Sequence, residues 1–500
     1  MKERKNFSIS DSTIINGVAV FFTAAFFLTS FFAARYSYEW GHVFHDWLLI
    51  MITPCPLVTD YLEIGGLASA FLNAGACGLV CCIFMIGLKG ESRANTLAGY
   101  FLVVAHCFYG LNLLSMLPCF IAPFIYLKRH KLNFNDNLHV CMFTTSFGPF
   151  ISELLFRYTQ QENYQFSQVS LTAGGVILAV LFAIMLGFVV PAILPGAHAW
   201  HKGYNLYNGG LAFGIFGFFL YNFLYKTMGV AQPVRIEHFN VVYEYFGHSF
   251  DTFANRFFFL VFPICILAGY MLDKNCFEMY QELTKDTGYR SDFAVNYGMP
   301  TCLVNIGFVG LFFVLYLNLI MIFTDGVGYT GPTIGVVLAA LTFTCMGQHP
   351  KNIWPILAGY QLLYFATMLL CSLTEREIGW TISTQAYING AAFATGLCPI
   401  VGRYGIRAGM AAGFLCASMC SATSALHGGL VLYNGGFTTG LTALILLPIL
   451  EHYVPQTREA MKSQRILKVE SMISLVEEIS AGAQENKREK GTDYTKYSPF

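Results

Sequence analysis

One ten-residue phrase occurs twice in this chain and limits its architecture more than any other feature. The first copy reads His201-Lys-Gly-Tyr-Asn-Leu-Tyr-Asn-Gly-Gly210, the second His427-Gly-Gly-Leu-Val-Leu-Tyr-Asn-Gly-Gly436. The shared pattern is H-x-G-x-x-L-Y-N-G-G, with Gly214 and Gly440 following at the same spacing. Seven of the ten positions coincide, too many for chance, so the chain is read as a duplication.

The duplicated unit has to sit in a bilayer. Of 500 residues, 55% are hydrophobic and only 12% charged, with a mean hydropathy of +0.54. Soluble chains carry about 25% charged residues. The charges cluster between apolar runs, many as long as the roughly 18 residues that mark a membrane span. The fold class expected is therefore an all-α polytopic membrane protein. A net charge of zero says nothing about nucleic acid, but the sequence shows no basic-aromatic binding surface, so no nucleic-acid partner is expected. Most of the fifteen cysteines lie inside apolar runs (Cys77, Cys81, Cys82, Cys107, Cys141, Cys416, Cys420), where they pack as small, weakly polar residues. None has the spacing of a metal or haem ligand, so neither metal nor cofactor is expected. The run at 14–34, after Met1-Lys-Glu-Arg-Lys, is too long for a signal-peptide core and reads as an uncleaved first span.

Ten spans are expected. They are 14–35, 65–88, 138–156, 171–195 and 205–225 in the first half, then 257–272, 297–323, 384–402, 406–426 and 428–450 in the second. Two apolar pairs, 96–109 with 112–127 and 332–346 with 353–372, are broken at Gly110-Leu-Asn112 and Gly347-Gln-His-Pro-Lys-Asn352. At about 1.5 Å per residue, 14 residues reach about 21 Å, short of the roughly 30 Å hydrocarbon core. Each pair is read as a re-entrant hairpin, 96–127 and 332–372. The positive-inside rule leads to the same place: Lys89, Arg93 and Lys128-Arg-His-Lys131 share a side only if 96–127 enters and leaves on one face. With both termini cytoplasmic, only Arg35, Arg157, Lys226, Arg235, Arg256, Lys351 and Arg376 fall outside. Five spans per half is an odd number, so the second half runs opposite to the first. The expected organisation is 1–230 as first repeat, 231–256 as extracytoplasmic connector, 257–456 as second, inverted repeat, and 457–500 as tail. Matched columns support the pairing: Asp60, Gly66, Asn73, Gly75 and Gly78 with Asp292, Gly298, Asn305, Gly307 and Gly310; Gly110 and Pro118 with Gly347 and Pro355; Thr145 and Pro149 with Thr395 and Pro399. In the tail, Ile466, Val469, Ile473, Val476 and Ile479 fall on one helical face, which reads as an amphipathic cytoplasmic helix, and 481–500 as disordered.

Thr59-Asp-Tyr with Asn73-Ala-Gly, Met346-Gly-Gln-His-Pro-Lys-Asn352, His201-Lys-Gly-Tyr-Asn-Leu-Tyr-Asn208 and Leu426-His-Gly-Gly429 resemble the motifs of an uncharacterised family of bacterial polytopic membrane proteins built from a duplicated domain of unknown function. The resemblance covers roughly 45–450 and implies a bacterial plasma (inner) membrane protein without implying an activity. In that pattern an acid follows the proline in both halves; Glu153 fits, while the matching position here is Arg403. A more distant likeness, of architecture alone, is to urea transporters.

Several residues carry both a functional and a plainer reading. His201, Tyr207, Asn208, His427, Tyr433 and Asn434 would converge near the pseudo-two-fold axis and line a path for a small solute, or they cap helices while the glycines allow close packing. Asp60 and Asp292 are candidate sites for a coupling cation or proton, or helix N-caps. Asn73 and Asn305, near midplane depth, line the pore or hydrogen-bond between helices. At the second hairpin tip, His349 and Lys351 are candidate substrate ligands, with Glu153 as the acid Lys351 would need if buried, and Glu153 is a third coupling candidate. Arg403 and Arg407 read as cytoplasmic anchors, with an acid as a further partner for Arg403.

The function expected is a transporter or channel for a small polar or anionic solute, not an enzyme. Alternatives are a membrane enzyme acting on a lipid-linked substrate through Glu39, His42, His45, Glu237, His238, Glu244 and Asp251, and a structural or sensor protein that uses its tail. The partners implied are the bilayer and the solute; a homo-oligomer and a tail-binding partner are both compatible with the sequence.

Overall fold

The computed structural model describes residues 9–461 apart from 38–39, 89, 167, 169, 237–248, 325, 327 and 458–459. Among the described residues every regular element is a helix, with no strand beyond isolated β-bridges. Six helices among the described residues are long and apolar enough to cross a bilayer: Asp11–Tyr36, Tyr61–Gly87, Ala173–His201, Phe253–Leu272, Met299–Phe323 and Pro350–Leu373. The chain is an all-α polytopic membrane protein. The tail beyond 461, and Glu39, Glu237, His238 and Glu244, lie outside the described residues.

The first hairpin forms as its sequence predicts. The inbound limb Ala94–His106 stops at Gly110, whose φ of 84° suits a residue without Cβ. Asn112 then caps the outbound helix Leu113–Ile121, its side chain accepting from Ser115 N at 2.9 Å. Contacts at one end of the molecule hold the hairpin mouth. Ser92 N donates to Ser12 Oγ at 2.9 Å, and Arg93 lies 3.7 Å from Asp136. Phe84, near the end of Tyr61–Gly87, meets Phe120 at 5.0 Å and Phe124 at 5.9 Å, so the outbound limb returns to that same end. This end carries Arg93 and Lys128-Arg-His-Lys131 and is called the basic end below.

The second hairpin departs from expectation in one limb. Its inbound helix Gly331–Ala339 is short, but its outbound helix runs Pro350–Leu373, 24 residues, long enough to cross. Asn352 Oδ1 accepts from His349 N at 2.9 Å, a bond that starts this helix ahead of the apolar run, on residues the hydropathy pattern assigns to a loop.

Two expected spans are each divided. Residues 138–156 form Leu138–Thr144 and Gly148–Phe156 around a 3₁₀ turn at Thr145–Phe147. Residues 384–402 form Gln385–Ala394 and Cys398–Tyr404 around Thr395–Leu397. Pro149 and Pro399 cause this: a proline supplies no N–H, and it sits best in the first turn of a new helix. Thr145 and Thr395 each turn a hydroxyl back to a carbonyl three residues earlier, both at 2.6 Å.

Several contacts recur at matched positions of the two halves. Asn73 Nδ2 donates to Cys107 O at 2.8 Å and Leu111 O at 2.9 Å; Asn305 Nδ2 donates to Thr344 O and Gln348 O, both at 2.7 Å. Tyr61 N donates to Phe108 O, and Phe293 N to Cys345 O. Each asparagine thus ties a hairpin bend, where helix-breaking frees carbonyls, to the long helix beside it. Gly66 and Gly298 kink the entry to those long helices, at φ 74° and 85°.

Candidate functional site

Each copy of the repeated phrase folds as a loop closed by its own histidine and asparagine. His201 Nε2 donates to Asn208 Oδ1 at 2.7 Å, and His427 Nε2 to Asn434 Oδ1 at 3.1 Å. His201 Nδ1 accepts from Gly203 N at 3.2 Å, which fixes its tautomer. Asn208 and Asn434 begin the two motif helices, Asn208–Tyr221 and Asn434–Tyr453. The paired histidine and asparagine therefore spend their polarity chiefly on each other.

The two motif helices cross where their glycines leave room. A Cβ on Gly210 would stand 2.4 Å from Gly436 Cα, and one on Gly436 3.0 Å from Gly210 Cα. The neighbouring contacts are reciprocal: Gly214 faces Phe437, and Gly440 faces Leu211. A contact between a residue and its own counterpart, flanked by exchanged pairs, is the pattern of a self-complementary interface.

The 3₁₀ breaks bind across this crossing. Leu206 N donates to Gly396 O at 2.9 Å, and Leu432 N donates to Ser146 O at 2.8 Å. Each phrase thus satisfies a carbonyl that the other half's broken helix sets free, as buried backbone groups require.

A cavity of about 350 Å³ runs from the basic end to the crossing. Asn95, His139, Arg290 and Asp292 line it, with Tyr207, Asn208, Gly210 and Tyr433. Asp292 is half-buried, caps its helix through Val295 N at 3.0 Å and presents the cavity's one acidic side chain. Tyr207 Oη donates to Ala339 O at 2.8 Å, whereas Tyr433 Oη is buried with no hydrogen-bond partner among the described residues.

The positions matching this lining in the other half are closed. Asp60 is 4% exposed and accepts from both Leu62 N at 2.8 Å and Gly331 N at 3.1 Å. Gly331 opens the other half's inbound limb, at the position that matches Ala94. Leu432 and Tyr109 are buried, whereas their counterparts Leu206 and Met346 are partly exposed. Leu57 N donates to Gly429 O at 2.8 Å, sealing the loop before Asp60 onto the second phrase.

The remaining sequence-predicted residues sit elsewhere. Asn434 is not among the residues lining the cavity, so the two asparagines do not share it; the two tyrosines do. Asn73 and Asn305 hold the hairpin bends. His349 caps a helix and contacts Asp286 O through Nε2 at 3.0 Å. Lys351 is exposed and donates to Thr284 Oγ1 at 3.0 Å, so it does not meet Glu153. Glu153 is fully buried and paired with Arg157, one helical turn on. Arg403 has no carboxylate partner among the described residues; it donates to Gln456 Oε1 at 2.7 Å and lies over Tyr289. Of the outer acid-and-base set, His42 and His45 are exposed, and among the described residues His45 bonds to its neighbour Asp46. No group of three or more potential metal ligands occurs among the described residues.

His106 was not anticipated from the sequence. It is buried at the end of the first inbound limb, 2.6 Å from Leu102 O through Nδ1 and 3.1 Å from Leu432 O through Nε2. Both partners are acceptors, and a neutral imidazole donates through one nitrogen at a time. Its ring lies 5.4 Å from that of Tyr433. The matching position in the second half is Phe343, so the repeat pattern itself hides this histidine.

A family model described as "Protein of unknown function (DUF1576)" matches the chain over residues 40–226 and 272–452, and the chain belongs to that family. No curated protein and no solved structure gives a match.

Proposed function

With membership of that family as the premise, we propose that the chain is a carrier for a small polar or anionic solute, built as two inverted repeats and working by alternating access rather than as an enzyme. The observation that supports this most is the one-sided access to matched positions. Asp292 faces an open cavity while Asp60 is buried, although the two stand at equivalent points of the repeat. Two equivalent sites in different states are what a carrier with inverted repeats requires when caught open to one side.

The geometry suggests the exchange. Asp60 holds the N–H of Gly331 and so draws the second inbound limb over the far side. In the opposite state Asp292 would take the N–H of Ala94, and Asp60 would release Gly331. The crossing at Gly210 and Gly436 would serve as the fixed point. A solute in the cavity meets the amides of Asn95, Asn205 and Asn208, the hydroxyl of Tyr433, and one charge of each sign, Arg290 and Asp292. Neutral donors and acceptors of this kind replace the hydration of a small polar molecule.

Thiol labelling tests the reading. In a background without the partly exposed Cys371, Asn95→Cys and Ser291→Cys should react with a membrane-impermeant reagent from the basic side only. Pro332→Cys and Thr59→Cys should stay protected until a transported solute is added to proteoliposomes. Reaction of all four from both sides at once would indicate a continuous pore. Absence of any solute-dependent change or flux across a panel of small polar solutes would count against transport.

A further inference from the structure

A second cavity, of about 260 Å³, lies beside the first and is lined by Lys202, Tyr204, Tyr289, Arg403, Tyr404 and Glu451, with Val454 and Gln456. It joins the halves: Lys202 follows His201 of the first phrase, whereas Arg403 and Glu451 belong to the second half. Arg403 is 6% exposed, and its Nε has no hydrogen-bond partner among the described residues. The guanidinium stacks over Tyr289 at 4.4 Å and Tyr204 at 5.8 Å, and Arg290 lies over Tyr289 at 5.3 Å. Lys202 Nζ contacts both oxygens of Glu451, at 2.9 and 2.7 Å.

Two of these contacts show that the site is built rather than incidental. Lys202 adopts φ 53°, a left-handed conformation that a non-glycine residue rarely takes, and its carbonyl is held by Tyr289 Oη at 2.9 Å. Tyr204 Oη and Tyr404 Oη face each other at 3.4 Å. Aromatic walls therefore orient the Arg403 plane while leaving one of its N–H groups unused. Among the described residues Glu451 is the only acid lining the cavity and is already paired with Lys202, so no described carboxylate there offsets the charge of Arg403. A buried guanidinium without a carboxylate is costly unless an anion completes it.

We propose that this second cavity is a binding site for a phosphate-type oxyanion, with Arg403 as the primary ligand, Lys202 at the rim, and tyrosine hydroxyls as further donors. Guanidinium groups match phosphate oxygens through paired, charge-assisted hydrogen bonds. Two sources carry this chemistry: a phospholipid headgroup and a soluble phosphate. The surroundings suit the headgroup, because Trp200 and Tyr453 expose aromatic rings next to Lys202 and Glu451, as residues at a bilayer interface do.

The test uses the full-length protein. Inorganic phosphate is titrated against its thermal unfolding in detergent, and native mass spectrometry follows lipid retained from nanodiscs of phosphatidylglycerol or of phosphatidylcholine. Arg403→Gln should weaken the phosphate response or the retention of phosphatidylglycerol by about tenfold or more, and Arg403→Lys by less. Lys202→Gln, on an exposed side chain, should weaken it several-fold, while Lys351→Gln should leave it unchanged. Selective retention of phosphatidylglycerol without a phosphate response identifies the headgroup. A phosphate response in lipid-free protein identifies a soluble oxyanion. Absence of both responses, or responses that neither Arg403→Gln nor Lys202→Gln alters, overturns the proposal.

Discussion

Asn73 and Asn305 show how one side chain stabilises a hairpin bend in a bilayer. Each satisfies two backbone carbonyls that the adjacent chain reversal leaves without helical partners. A buried polar group left unpaired costs about 1–3 kcal/mol. Asn73→Leu should therefore lower stability by about 2–4 kcal/mol, read from thermal or denaturant unfolding in detergent, whereas Asn255→Leu, which removes an amide from a partly buried asparagine pair, should cost less. At His106 the expected loss is functional. His106→Phe copies the matching residue of the other half and should retain stability, but it removes the contact with Leu432 O beside Tyr433. If alternating access passes through that contact, flux falls while unfolding hardly changes. Sequence reading singled out Asn73 and Asn305 but left pore lining and bonding between helices as alternatives; the structure shows each bonded to a hairpin bend. A backbone carbonyl is left without its helical partner only once the neighbouring bend is in place, and nothing in the spacing records that. Asp292 and Asp60 are the converse: identical in pattern, they differ because one end of the molecule is open and the other closed.

At the level of elements, hydropathy locates apolar stretches and is blind to breaks within them. It merges Leu138–Thr144 with Gly148–Phe156 because the turn at Thr145–Phe147 is itself apolar. Pro149 and Pro399 were visible in the sequence as matched columns, and their helix-starting role was the available signal. The second outbound limb went the other way: polar residues His349, Lys351 and Asn352 look like a loop but form a cap and first turn. The long helices of both halves begin at kinks that test the same point. Gly66 sits at φ 74°, ψ 175°, and Gly298 at φ 85°, ψ 151°, a region nearly closed to residues with a Cβ. Gly66→Ala and Gly298→Ala should each destabilise by about 1–3 kcal/mol. Gly87→Ala, at a helix end with nothing within 4 Å of the added methyl group, should change stability little. Comparison of the three melting curves checks this.

For the whole molecule, the phrase that seemed a candidate pore element is first the place where the halves are joined. Its asparagines are engaged by their own histidines, its glycines set the crossing, and its tyrosines reach the cavity. The crossing is tighter on one side. A methyl group on Gly210 would meet Gly436 backbone at 2.4 Å, while one on Gly436 comes no nearer than 3.0 Å. Overpacking of this kind costs about 1–3 kcal/mol, so Gly210→Ala should lower the melting temperature more than Gly436→Ala does. Equal shifts would mean that the helices slide apart freely at this point.

The exchanged bonds from Leu206 to Gly396 and from Leu432 to Ser146 bear on how the protein is made. Synthesis proceeds from the N-terminus, so Ser146 enters the bilayer long before Leu432 leaves the ribosome. Until then its carbonyl has no partner from the second half. The first half is thus an unfinished insertion product that must be kept from degradation while the rest is translated. Two separately encoded halves should accumulate only when expressed together.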